Sequence, residues 1–249
     1  IPDPTTGFPD DFLIKTGGTD GSSNIAWRSQ YQSFATWHQM PPFYIGMADN
    51  SGSYGAWLAQ PLGDRGANNV SFTMVTPDLR FPQGATRSAQ QSDFALSSCQ
   101  TASTPCKRYF WNRPAADDQF SGLSWGFSNY NHVRWRSWWQ AGDAGVGRDG
   151  KKPVLTRGEV NLLQAEGEYY KGNFATAAGL INISRTAGMA GTPAVATGGG
   201  LPAIVAFDAT SPVPGGSNCL PKVPQAPGFN TVACGNMFEA LKWEKRIET

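Results

Sequence analysis

The sequence predicts a mainly α protein with long irregular loops and a few short strands. Three observations lead there. The stretch 156–185, TRGEVNLLQAEGEYYKGNFATAAGLINISR, carries apolar residues at helical spacing on both sides of a Lys171-Gly172-Asn173 stop. The C-terminal stretch from Asn236 repeats that spacing with Met237, Ala240, Leu241 and Ile247. Elsewhere Gly (29), Pro (18) and Trp (9) are abundant while only 16% of residues are charged, a mixture that suits ordered, aromatic-rich loops better than a disordered tail.

The stretch 156–186 reads as a tetratricopeptide-like αα-hairpin. Thr156 and Glu159 have the spacing of a capping box. In the first helix Val160, Leu163, Gly167 and Tyr170 share one face, and Leu162, Ala165 and Tyr169 the opposite one; a helix apolar on two sides is expected between neighbours. Phe174, Ala177, Ala178 and Ile181 lie at i, i+3, i+4 and i+7 of the second, where small residues let the two axes approach closely. Along the final helix Glu244 and Glu248 share the apolar face. Two buried like charges call for a cation, and Arg185 or Arg157 is the expected partner.

The 249 residues can bury a sizeable core, and a formal net charge of +1 gives no reason to expect nucleic acid or an anionic membrane surface. The four cysteines form two local pairs, Cys99 with Cys106 and Cys219 with Cys234, set among Ser, Thr, Pro and Gly. Neither pair has CxxC spacing, so two loop-closing disulfides in an exported protein are favoured over four free thiols. A start on Ile1 and a close on EALKWEKRIET, without a helix stop, are what a piece cut from a longer precursor would show.

Before the hairpin, 1–155 is loop-rich and aromatic-rich. Phe12-Leu13-Ile14 is a short strand candidate, and Ile25 to Met40 a helix candidate with Tyr31, Phe34 and Trp37 as core. Trp57-Leu58-Ala59, Val70 to Val75 and Lys107 to Trp111 are further strand candidates. Asn131 to Gln140, NHVRWRSWWQ, combines three tryptophans with two arginines, a composition for either a packed stack or a ligand platform. After the hairpin, 187–235 reads as a loop pinned by Cys219 and Cys234. Its Gly198-Gly199-Gly200 lacks the surroundings of a phosphate loop, and 236–249 begins a further helix.

Catalytic patterns are weak. Gly122 to Gly126 matches G-x-S-x-G, yet His132 follows Ser124 with no acid between them. Asp117-Asp118 is the most obvious acidic pair, and neighbours in a polar loop are usually solvated. His38 and His132 are the only histidines, and Asp49-Asn50-Ser51 lacks the remainder of a calcium loop. No cofactor is expected, and the metal role left open is an isolated structural Ca²⁺ held by loop oxygens.

The hairpin positions Leu162, Ala165, Glu166, Gly172, Asn173, Phe174, Ala177, Ile181, Asn182 and Arg185, together with Glu244, Lys245, Arg246 and Glu248, resemble the signature of the SusD/RagB family. Glu168 stands where the general repeat has Tyr. The resemblance implies a single SusD-like domain over 1–249, and a non-enzymatic outer-membrane lipoprotein exposed at the bacterial cell surface. Such a protein would bind an oligo- or polysaccharide or another nutrient and deliver it to a SusC-like TonB-dependent transporter. It would be lipid-anchored through a precursor N-terminus, with the hairpin as the last repeat of a helical superstructure. Ligand residues have no motif to carry over. On physical grounds Trp57, Tyr109, Trp111, Trp135 and Trp138 are candidate stacking faces, with Arg113 and Asn131 as polar contacts, all outside the hairpin. The competing readings are a helical protein–protein scaffold and an extracellular carbohydrate-active enzyme.

Overall fold

A computed structural model of the chain describes residues 40–61, 64–65, 73–99, 105–114, 128–134 and 155–248, and the backbone of 12–15, 66–67 and 151–154. Its elements are β1 (Phe12–Lys15), α1 (Ser53–Ala59), α2 (Arg87–Asp93), β2 (Phe110–Asn112), β3 (Tyr130–His132), β4 (Lys151–Leu155), α3 (Arg157–Tyr170), α4 (Phe174–Thr186), β5 (Met189–Ala190), β6 (Val195–Ala196), β7 (Lys222–Pro224), β8 (Val232–Cys234) and α5 (Met237–Glu248). Every strand pairing is a two-stranded antiparallel ribbon: β1 with β4, β2 with β3, β5 with β6 and β7 with β8. The content is mainly α with small strand pairs.

The hairpin forms where its caps predict. Thr156 Oγ1 accepts from Glu159 N at 3.1 Å and starts α3. Gly172, at φ +81°, turns the chain after Lys171. Glu168 closes the turn by accepting from Asn173 Nδ2 at 2.6 Å and Lys171 Nζ at 3.1 Å.

α3, α4 and α5 form a three-helix layer. Leu162 and Ala165 of α3, Ala177, Ala178 and Ile181 of α4, and Met237, Ala240 and Leu241 of α5 are buried together with Ile204, Val213 and Cys219. α3 and α5 run antiparallel, since Glu166 pairs with Lys245 while Tyr169 stacks on Phe238 at 5.0 Å. The opposite face of α3 differs from its expectation. Val160, Leu163 and Tyr170 stay exposed, because α4 and α5 both pack on the Leu162–Ala165 side.

α5 is also a wall of a second core. Trp243 and Ile247 join Ile45, Tyr54, Trp57, Leu58, Met74, Phe81, Tyr109, Phe110 and Tyr130 there. Phe81 and Phe110 lie parallel at 4.3 Å between ring centres. A third, smaller cluster gathers Phe94, Trp111 and Val133 around the Cys99–Cys106 disulfide. The second disulfide joins Cys219 to Cys234, so both local pairings form.

Several strand expectations are corrected. Trp57-Leu58-Ala59 belongs to helix α1. Asp49 accepts from the backbone N–H of Ser51 and Tyr54, and Tyr54, Trp57 and Leu58 then meet the core at i, i+3 and i+4. Residues 73–75 lie outside any ladder, and side chains act as their partners: Met74 N donates to the Tyr130 hydroxyl, Met74 O accepts from Gln90, and Val75 N donates to Asp49. Of Lys107 to Trp111 only Phe110 and Trp111 are strand; Tyr109 N and Phe110 N both donate to Arg80 O. Strand β1 forms as expected. The helix candidate 25–39, Gly122 to Gly126, Asp117-Asp118 and His38 lie outside the described residues.

The glycine triplet caps α4. Gly199, Gly200 and Leu201 N–H groups donate to the carbonyls of Ser184, Ala187 and Arg185 at 2.7–3.0 Å. A Cβ on Gly198 would lie 2.1 Å from the Ser184 carbonyl oxygen, so glycine is required by close approach.

The cation for the α5 carboxylates is Arg80, in place of Arg185 or Arg157. Its Nη1 donates to Glu244 Oε2 at 2.7 Å and Glu248 Oε1 at 3.1 Å, and its Nη2 to Asp78 Oδ2 at 2.7 Å. Arg134 adds a second cation, 2.6 Å from Glu248 Oε2. Replacing Arg80 by Leu takes the cation from buried Asp78 and Glu244 and leaves Glu248 with Arg134 alone, and should lower unfolding stability by about 3–5 kcal/mol in urea titrations. The Cys219→Ala/Cys234→Ala double variant should cost about 3 kcal/mol, read as a lower urea midpoint with a slope equal to or steeper than that of the parent, because the unfolded chain is no longer cross-linked.

Candidate functional site

The predicted residues Trp57, Tyr109, Trp111, Arg113 and Asn131 are in the interior. Trp57 stacks on Tyr54 at 6.1 Å, meets the edge of Phe43 at 5.6 Å and donates its indole N–H to the Arg65 carbonyl. Tyr109 is covered by the Arg134 guanidinium, 4.2 Å from its ring centre, and burial raises the pKa of its phenol. Trp111 packs in the Cys99–Cys106 cluster, and Asn131 faces it across the β2–β3 ribbon. Arg113 is fully buried, with its backbone carbonyl taken by Arg87 Nε and Gln91 Nε2. β2 and β3 bring Tyr109, Trp111, Arg113 and Asn131 together and leave Trp57 on α1. Burial gives these five to packing and exposes no stacking face on them. Trp135 and Trp138 lie outside the described residues.

The polar residues of the two motifs likewise make fold-forming contacts. Asn182 brackets Ile204, donating to its carbonyl at 3.0 Å and accepting from its N–H at 2.9 Å. Arg185 Nε donates to the Pro202 carbonyl at 2.8 Å. Ser184 Oγ donates to Glu244 Oε2 at 2.9 Å, and the Trp243 indole to Asp78 Oδ2 at 3.3 Å. Burial lifts the Glu244 carboxyl above the usual carboxylate range against the pull of Arg80. Burial works against the charge of Arg80 as well, but Asp78 and Glu244 outweigh it and hold the guanidinium ionised.

Among the described residues, a cleft of about 380 Å³ lies between α3 and α5, lined by Glu166, Leu241, Lys242, Lys245 and Arg246. Leu241 is its floor. Lys245 Nζ bonds Glu166 Oε2 across it at 2.6 Å, and Lys242 Nζ bonds Glu239 Oε1 at 2.6 Å on α5 itself. Aromatic rings stand beside it: Lys242 Nζ lies 5.2 Å from the centre of the Phe238 ring, and Tyr170, 70% exposed, meets Phe238 edge-on at 5.8 Å. At the other end Arg246 reaches the turn carrying exposed Phe43. The arrangement offers hydrogen-bonding charges between aromatic faces and no nucleophile–base pair. Residue types alone could not single it out, because it takes both motif helices, folded antiparallel, to make the two walls.

Among the described residues no three His, Cys, Asp or Glu side chains are grouped to hold a metal ion, and no helix is long and apolar enough to cross a membrane. Comparison of the chain with protein-family models, curated proteins and solved structures returns no match.

His132, on β3, lies against Phe110 at 5.2 Å. Burial, aided by the charge of Arg134, lowers its pKa to about 3. The native ring therefore stays neutral while the unfolded chain takes up a proton below about pH 6.5. Stability attributable to this residue should be lost as pH falls from about 6.5 towards 3, at up to about 1.4 kcal/mol per pH unit. His132→Gln should flatten that slope in urea titrations at pH 7, 5.5 and 4.5.

Proposed function

We propose that the chain is a non-enzymatic nutrient-binding protein of the SusD/RagB kind, which takes up a glycan at the bacterial cell surface and passes it to a SusC-like TonB-dependent transporter. The observation that carries this reading is the convergence of its two signature stretches. The hairpin and the final helix pack against each other through Glu166–Lys245 and Ser184–Glu244, so residues far apart in the chain that match one family's pattern form one structural unit. Polar signature residues committed to the fold suit a family whose ligand residues vary. The α3–α5 cleft, with rings flanking charged hydrogen-bonding groups, supports a sugar as ligand. On this reading the fold is SusD-like, the hairpin is a tetratricopeptide-type repeat, and the lipid-anchored protein is exposed on the outer membrane.

The exposed Val160–Leu163–Tyr170 face of α3 favours a second reading, a helical scaffold for protein contacts. Affinity electrophoresis through gels containing a panel of plant and bacterial polysaccharides separates the two. Retardation by at least one, without release of reducing sugar, is the expected result. Migration unchanged in every gel, with recovery of a defined protein partner, would replace glycan binding by the scaffold.

A further inference from the structure

Among the described residues, the α3–α5 cleft carries one cation, Arg246, with no carboxylate against it. Lys242 and Lys245 are each paired with a carboxylate at 2.6 Å. Arg246 has no carboxylate partner among the described residues. Its Nη1 donates to the backbone carbonyls of Phe43 at 3.4 Å and Tyr44 at 3.3 Å, and its guanidinium lies 5.6 Å from the centre of the Tyr44 ring. The Tyr44 hydroxyl donates back to the Arg246 carbonyl. These contacts aim the side chain without neutralising it, and they leave Nε and Nη2 with no partner among the described residues.

A planar guanidinium with free N–H groups matches a carboxylate in bidentate fashion. Phe238, Lys242 and Arg246 stand at i, i+4 and i+8, so they form one ridge of α5 about 12 Å long. Among the described residues, three cations stand against the carboxylates of Glu166 and Glu239 at the cleft and its rim. Tyr170 presents an exposed ring at the far end of that ridge.

We propose that this cleft selects an acidic oligosaccharide of the uronate type. One sugar carboxylate is held by Arg246, Lys242 is the second cation along the ridge, and Tyr170 is the stacking face for a neighbouring sugar ring. The inference rests on the glycan-binding reading and narrows it. An acidic peptide would supply the same carboxylates, but the exposed ring beside them is what a sugar face uses.

The test is calorimetric titration of the whole chain with a short oligogalacturonate, the matching uncharged oligogalactose, and a glutamate-rich peptide of similar charge, at low and raised salt. The oligogalacturonate should bind, and more weakly at raised salt. Arg246→Gln should weaken it about tenfold or more, as loss of a charge-assisted hydrogen-bond pair does. Arg246 also holds the Phe43–Tyr44 turn, so thermal unfolding accompanies each variant. Lys242→Gln, about half exposed, then serves as the independent variant and should weaken binding about threefold. Equal binding of oligogalactose, indifference to both substitutions, or equal binding of the peptide would overturn the acidic-sugar assignment. Binding of the neutral sugar alone, or of neither sugar, would overturn it while leaving glycan binding to be decided by the polysaccharide panel.

Discussion

One buried guanidinium determines how the parts of this protein fit. Arg80 is fully enclosed and contacts Asp78, Glu244 and Glu248 at 2.7–3.1 Å. Charges out of water are tolerated only when the opposing charges and hydrogen bonds are correctly placed, so the segment carrying Arg80 can dock on α5 in very few ways. Neighbouring contacts follow from that placement. The Arg80 carbonyl receives the N–H groups that begin β2, and Leu79 N donates to Gly199, where the glycine loop caps α4. Arg134, after β3, closes the other side of Glu248 and covers Tyr109.

α5 is consequently more than a third helix of the layer. Its Met237, Ala240 and Leu241 complete the hairpin core, while Trp243 and Ile247 complete the core of the N-terminal part. Glu244 and Glu248 lie on the seam between the two. A charge cluster in that position specifies the relative position of the two cores, a task that hydrophobic contact, which has no direction, performs poorly. The side of α5 that neither core uses becomes a wall of the cleft.

The same economy explains what happened to the aromatic residues. A chain with few charges and many tryptophans and tyrosines has rings to fill its cores, and Trp57, Tyr109 and Trp111 are used there. Arg134 over Tyr109 and Arg65 over Trp57 are cation–ring pairs of the expected type, but they seal the interior. Beside the α3–α5 cleft, the exposed Tyr170 ring meets the half-buried Phe238 edge-on, where α3 ends and α5 begins.

What could be read from the sequence alone is what neighbours along the chain decide. Thr156 with Glu159, Gly172 between Lys171 and Asn173, and the apolar face of α5 act within a few residues of each other, so helix ends and buried faces were legible. The cysteine pairs, seven and fifteen residues apart, were legible for the same reason. Helix α1 escaped because seven residues are too few for a period to declare itself, and its start depends on Asp49. The cation for Glu244 lies 164 residues away, and the Met74 backbone finds its hydroxyl 56 residues on. Contacts at such separations leave no trace in local spacing. Only the tertiary structure could therefore decide that Arg80 takes the place expected of Arg185, that Trp57, Tyr109 and Trp111 are core, and that α3 and α5 leave a charged cleft between them.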